Sequence, residues 1–187
     1  MRRLAAIVLL PWLLVLGVVS CDPRTRAVVR YHSWPSEWMV PVAGVRGQDI
    51  ASTWGAPRSG GRKHQGADIF APKGTAVVAA TDGVILSIRV DRLGGNVVHL
   101  LGEGLTLQYY AHLDTWEPGL KNGQHVKQGD VLGTVGNTGN AKTTPSHLHF
   151  GISRLKPVRL SRVRFDPMDV LDTAKTQPRA GKLAGGV

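Results

Sequence analysis

Between Asp49 and about Ser153 the chain is written in short apolar runs cut by turn residues, and no amphipathic helical stretch interrupts them. Gly74 to Ala80 is β-branched, and Asp82-Gly83 after it predicts a hairpin into Val84 to Val90. Gly95-Asn96 opens a further strand through Leu101. Leu105 to His112 alternates, which places Thr106, Gln108, Tyr110 and His112 on one face. Asn122-Gly123 marks another turn, and Val131 to Val135 and His147 to Ile152 complete the set. Many strands joined by glycine turns predict an all-β domain, a twisted and mostly antiparallel sheet or sandwich. Pro167 to Asp172 predicts one helical turn.

The flanks read differently. Arg2 and Arg3 precede an apolar run from Leu4 to Val19, broken by Pro11 and closed by Ser20 and Cys21. A basic start, a greasy stretch and a small residue read as a secretory signal over residues 1–20, with an uncleaved anchor as the alternative. Cys21 is the chain's single cysteine, which excludes an intrachain disulfide scaffold and a cysteine-rich zinc finger. Val18-Val19-Ser20-Cys21 resembles a bacterial lipobox, which makes Cys21 the candidate lipidation site and anchors the domain without a membrane-spanning helix. Asp22 resembles the retention signal of inner-membrane lipoproteins in enteric bacteria, so the expected place is the periplasmic face of the inner membrane of a Gram-negative cell. Residues 21–47 read as a tether, with Trp34, Trp38 and Met39 apolar enough to pack on the domain. The domain is expected over 48–172, and 173–187, rich in Gly, Ala and Lys, as a disordered basic tail.

Composition matters at one point. The formal net charge is +10, which invites an anionic partner. Residues 51–153 hold nine basic and seven acidic groups, whereas 154–187 hold eight against three. The charge therefore belongs mostly to the C-terminal segment. No recognition helix or interleaving of aromatic with basic residues supports nucleic-acid binding. Val158 to Phe165 alternates, giving either a strand with one basic face or, the slightly favoured reading, a solvated loop. Contact with carboxylates of a wall polymer or with anionic lipid heads is the functional reading of that basic segment.

The chemistry sits in three separated segments. His64-Gln65-Gly66-Ala67-Asp68 spaces an imidazole and a carboxylate by four, which in an extended strand is one face. His147-Leu148-His149 spaces two imidazoles by two, again one face, and His112 ends a third alternating strand. Four histidines and a carboxylate, in strand-like segments and without cysteine, suit a Zn²⁺ site with an open position better than a closed structural one.

Gly61 to Ile69, with Pro72-Lys73-Gly74-Thr75 and Ala79 to Gly83, resembles the first motif block of the lysostaphin-type (LytM-like) zinc endopeptidases. Tyr110-Ala111-His112-Leu113 resembles the middle motif. Val126 to Asp130, Gly133, Gly136 to Gly139 and His147 to Phe150 resemble the last. The resemblance spans about residues 42–172, in order and spacing. It implies one Zn²⁺ per chain held by His64, Asp68 and His149, with His112 and His147 as the catalytic pair, in a groove of a mostly antiparallel sheet. It implies hydrolysis of peptide cross-links in peptidoglycan, with stem peptides as substrate. The lipidated Cys21 would add a bilayer as partner, and a protein regulator is a further candidate. Two other functions remain on this reading: a non-catalytic activator of another wall hydrolase, and a phosphotransfer module, which export argues against. The family often carries an aromatic shortly before its first ligand histidine; here Arg58 to Lys63 stand there, and that role is unassigned. Trp54 and Trp116 are candidates for flanking a substrate channel, with packing as the alternative. Asn96 and Tyr110 are candidates for lining the groove, with strand packing the favoured reading, and His32, His99 and His125 match no motif position.

Overall fold

The computed structural model describes Pro35, residues 37–156 and residues 161–177. The expected signal segment, Cys21, Asp22, His32 and Trp34, and residues 157–160 and 178–187 lie outside that range. Nine strands are described: β1 (Ala67–Phe70), β2 (Ala76–Val78), β3 (Gly83–Asp91), β4 (Gly95–Gly102), β5 (Thr106–Trp116), β6 (His125–Val126), β7 (Val131–Val135), β8 (His147–Lys156) and β9 (Ser161–Phe165). One helical turn, α1 (Met168–Leu171), closes the domain. All nine strands belong to one sheet of order β1-β8-β5-β4-β3-β6, and every pairing is antiparallel. The all-β expectation holds. No helix among the described residues is long and apolar enough to cross a membrane.

β8 is the organising strand. Its one edge pairs with β5, and its other edge pairs first with β1 and then with β9. Alternation then sorts its side chains. Leu148, Phe150 and Ile152 face the core, where Phe150 packs on Tyr110 with ring centroids 5.1 Å apart. Ala67 and Ile69 of β1 join them. His147 and His149 face the other way, together with their register partners Phe70 and Asp68. Tyr110 is fully buried, and its hydroxyl donates to Gln108 Oε1 (2.6 Å) and accepts the Ala80 N–H (3.0 Å). A buried phenol is tolerated there because both its hydrogen-bonding roles are met.

Several expectations are corrected. The hairpin at Asp82-Gly83 does not form: β2 pairs with β7, and β3 pairs with β4 and β6. The local turn signal is real, but the strand before it finds a partner some fifty residues away. His64 lies in the loop before β1, not in a strand. His112 does not share the face of Thr106, Gln108 and Tyr110. Three residues of β4, Asn96 to Val98, oppose four of β5, Tyr110 to Leu113, and His112 has a positive φ of 63°. This β-bulge turns His112 out of the core face and onto the face of His149.

The boundaries shift as well. Trp38, Val40 and Val42 are core residues, Val42 bridges Val77, and Met39 bridges Lys175. The fold therefore begins near Glu37, inside the expected tether. It runs to Gln177, past the start of the expected disordered tail: Val40 N–H donates to Lys175 O, and Gly44 N–H to Gln177 O. The basic segment is strand β9 rather than a solvated loop, with Arg164 opposite Ser153 and Val163 opposite Arg154.

Candidate metal centre and its flanking histidines

Three donor atoms converge at the start of β1. His64 Nε2 lies 2.9 Å from His149 Nδ1 and 3.1 Å from Asp68 Oδ1, and His149 Nδ1 lies 2.9 Å from Asp68 Oδ1. Among the described residues this is the group of histidines and carboxylates close enough to share a metal ion. Each donor arrives by a different local device. Asp68 and His149 are register partners across the β1–β8 ladder. His64 reaches the same point from the loop, where its Nδ1 meets Thr53 O at 2.9 Å. A carbonyl accepts only, so Nδ1 carries the proton and Nε2 offers a lone pair.

The donor set suits zinc. Tetrahedral Zn²⁺ with ligands at ~2.0–2.1 Å separates its donors by about 3.3 Å. The observed triangle is slightly tighter, and small enough for one ion above its plane to reach all three corners. Two imidazoles and a carboxylate are borderline ligands that zinc accepts. The Asp68 carboxyl is held well below the usual carboxylate range. Burial alone would raise it, but its interactions with the His149 and His64 side chains outweigh that effect. It is thus an anion ready to bind a cation.

Gly66 explains the glycine between the first two donors. A Cβ there would lie 2.6 Å from His149 Cε1 and 2.7 Å from Phe150 O. Only a residue without a side chain lets the loop pass under the His149 ring.

His112 and His147 stand beside the triangle. Their rings are 5.0 Å apart, and His112 is 6.0 Å from the His149 ring. His147 Nε2 is 3.8 Å from Asp68 Oδ1. Each ring has Nδ1 on a backbone carbonyl at 2.9 Å, His112 on Thr138 O and His147 on Pro145 O. Both therefore have Nε2 as the free nitrogen. Burial lowers the His112 pKa to about 4; the Thr138 hydrogen bond opposes this, and the neighbouring His147 and His149 add to it. The Thr138 loop is fixed by a close approach of two glycines, Gly95 and Gly139, both at positive φ and each too crowded for a Cβ. Thr138 Oγ1 also accepts the Asn96 N–H and donates to Leu113 O, which ties the loop to the bulge.

Three participants lacked a readable sequence signal. Arg58 Nη2 is 2.5 Å from Asp68 Oδ2, on the oxygen turned away from the triangle. Its charge was visible, but nothing in the spacing joins it to Asp68. Phe70, 55% exposed, has its ring 5.2 Å from that of His147. Tyr109 lies 6.0 Å from the His149 ring, and its hydroxyl donates to Asp91 Oδ2. Register would have found Phe70 and Tyr109 once the strand pairs were known. Of the residues given other expectations, Asn96 Nδ2 bonds Asp114 O, Trp116 packs against the core with Nε1 on Val97 O, and Trp54 is half-buried before His64. His99 bonds Ser87 and His125 is exposed.

The model of Peptidase family M23 matches residues 62–164. The chain is 40% identical over 108 residues to an L-Ala--D-Glu endopeptidase of Bacillus subtilis, covering 54% of this chain and 33% of that one. It is 33% identical over 133 residues to the murein hydrolase activator NlpD of Escherichia coli, covering 71% of this chain and 32% of that one. Among solved structures, the catalytic domain of lysostaphin from Staphylococcus simulans superposes with a TM-score of 0.56 at 30% identity, over 68% of this chain and 96% of that one. The chain spans about a third of the length of the two curated relatives.

Proposed function

The chain belongs to peptidase family M23, and from that premise we propose that it is a zinc-dependent endopeptidase hydrolysing peptide cross-links of bacterial peptidoglycan. The observation that carries this reading is the intact triangle of His64, Asp68 and His149 with two further histidines beside it. His64, Asp68 and His149 would hold one Zn²⁺. Bound there, the ion supplies Lewis acidity at the scissile carbonyl and a water acidified toward pKa ~7.

The chain's own residues do the rest. His112 and His147 present their free Nε2 atoms on the site face, because Thr138 O and Pro145 O hold the opposite nitrogens. One Nε2 takes a proton from the attacking water. The other steadies the developing oxyanion or protonates the leaving amine. The burial of both rings keeps competing water away from these transfers. Arg58 holds the outer oxygen of Asp68 and so keeps Oδ1 aimed at the triangle.

A relative that activates other hydrolases suggests a second reading, in which the domain binds a partner and cuts nothing. The complete donor set favours the enzyme. Digestion of purified sacculi by the mature protein, with and without a chelator, decides between them. The endopeptidase reading expects chelator-sensitive release of cross-link fragments that His149→Ala abolishes; the activator reading expects lysis only with a partner hydrolase and no bound zinc.

Location is part of the proposal. Cys21 would carry the lipid and hold the domain on the periplasmic face of the inner membrane of a Gram-negative cell. The run from Leu4 to Val19, Ser20-Cys21 and Asp22 support this. Replacing Cys21 with Ser should abolish incorporation of labelled fatty acid and move the protein out of the membrane fraction.

A further inference from the structure

The face that carries the site continues beyond it. Along β8 the residues on that face are His147, His149, Gly151 and Ser153. Arg164 is the register partner of Ser153, and Arg162 that of Leu155, so both arginines project from the same face as the metal centre. The face extends sideways through the pairs Gly151–Tyr109, Tyr109–His99 and His99–Ser87. The next residue of β3 on that side is Arg89. Arg89, Arg162 and Arg164 are exposed, and none has an ion-pair partner among the described residues. The nearby acid, Asp91, is already engaged by the Tyr109 hydroxyl and by the N–H groups of Leu93 and Gly94. Register thus places Arg89 and Arg162 on this face from strands on opposite sides of His99, and the charges of both lower its pKa.

The two ends of the face differ in character. Beyond His147 stands the exposed ring of Phe70; beyond Ser153 stand the guanidinium groups of Arg164 and Arg162. From His149 to Ser153 is four residues of strand, about 13 Å. A peptide lying extended over the site would reach the arginines with a residue about two to four positions from its scissile bond, given the length of an arginine side chain.

We propose that Arg162 and Arg164 form an anion-binding subsite of the catalytic face, taking a free carboxylate on the substrate peptide on one side of the scissile bond. The subsite rests on the endopeptidase reading and adds a polarity to it: the acidic arm of the substrate lies over β9, and its other arm over Phe70. Planar guanidinium groups suit carboxylates, which they bind in a two-pronged fashion. An anionic bilayer would also attract these arginines, but one seated on that face would cover His149 and the site with it.

The test uses the zinc-loaded mature protein and cross-linked stem-peptide dimers prepared from sacculi, with their carboxylates either free or amidated. The quantity read is the ratio of kcat/KM for the two. The wild type should favour the free carboxylates by about tenfold at low ionic strength, and the ratio should shrink with added salt. The double substitution Arg162→Gln, Arg164→Gln should bring the ratio close to one, whereas Arg162→Lys, Arg164→Lys should retain part of it. An equal ratio in wild type and the glutamine variant overturns the subsite. So does an intact ratio accompanied by loss of binding to phosphatidylglycerol vesicles, which assigns the arginines to a membrane. Binding of both peptides to His149→Ala protein, with and without the glutamine substitutions, separates the two levels. If no peptide is cut by the wild type, the endopeptidase reading fails. The subsite then stands if carboxylate-dependent binding is lost with the arginines, and falls if it is not.

Discussion

Asp68 and His149 face each other directly across the β1–β8 ladder, with Asp68 Oδ1 2.9 Å from His149 Nδ1. Two of the three donors are thus placed by strand register, and only His64 depends on a loop. A metal held at this pair would cross-link the edge strand β1 to β8. Ligand that binds only the folded state stabilises it by RT ln(1 + [L]/Kd), about 4 kcal/mol at a thousandfold excess over Kd. Zinc removal by chelator is therefore expected to lower the melting temperature of the wild type markedly, and readdition to restore it. Asp68→Ala should melt at the same temperature with and without zinc in differential scanning calorimetry. A zinc-dependent rise in that variant would show that the ion binds elsewhere.

Arg58 acts through Asp68. Its Nη2 occupies Oδ2 at 2.5 Å, while Oδ1 faces the histidines. Groups that orient a metal ligand typically change metal affinity by about 10- to 100-fold when removed. Arg58→Ala is expected to weaken zinc binding by about that factor in competition with a chromophoric chelator, with little change in the apo melting temperature because the arginine is 40% exposed. Unchanged zinc affinity would reduce Arg58 to a surface contact.

Gly66 tests the packing under the ligand. A methyl group at this position would lie 2.6 Å from the His149 ring and 2.7 Å from Phe150 O. The carbonyl belongs to the centre of a strand and cannot retreat cheaply, so the imidazole must move. Gly66→Ala is expected to cost about 1–3 kcal/mol in denaturant unfolding and to depress zinc affinity together with stability. A variant that is destabilised yet binds zinc as tightly as the wild type would mean that β1 shifts as a body and carries the site with it.

Much of this was legible in the residues, for identifiable reasons. Period-two patterning is local, so β3, β4, β7 and the start of β8 lie close to where alternation puts them, and His147 and His149 share a face for the same reason. The pairing of β2 with β7 was not legible, because a three-residue strand carries no record of its distant partner. His112 was assigned to the wrong face because alternation assumes an unbroken ladder, and a one-residue bulge leaves no mark in composition. Arg58 was invisible as a partner of Asp68 because its loop returns on the strand through tertiary geometry alone. Within the expected tether, the packing of Trp38 was legible from its apolar bulk, but Val40 and Val42, on either side of Pro41, carry no pattern long enough to mark them as core.

His99 reports the charge on the basic half of the site face. It stacks on Tyr109 with ring centroids 4.9 Å apart and bonds Ser87 Oγ through Nδ1. Its pKa lies below the ordinary ~6.5, first because of burial and then because of Arg89 and Arg162; Asp91 opposes them. A histidine kept neutral in the fold is protonated more readily when unfolded. Below about pH 6.5 the unfolded state therefore binds the extra proton, and stability falls as pH drops toward the folded-state pKa. Arg162→Gln removes one of the two cations, so the His99 resonance in an NMR titration is expected to move toward the ordinary value. The loss of stability on acidification from pH 7 to pH 5 should become shallower than in the wild type. Asp91→Asn should shift His99 the opposite way. An unshifted titration in Arg162→Gln would show that the β9 arginines point away from the sheet face, and it would remove the charge on which carboxylate recognition there depends.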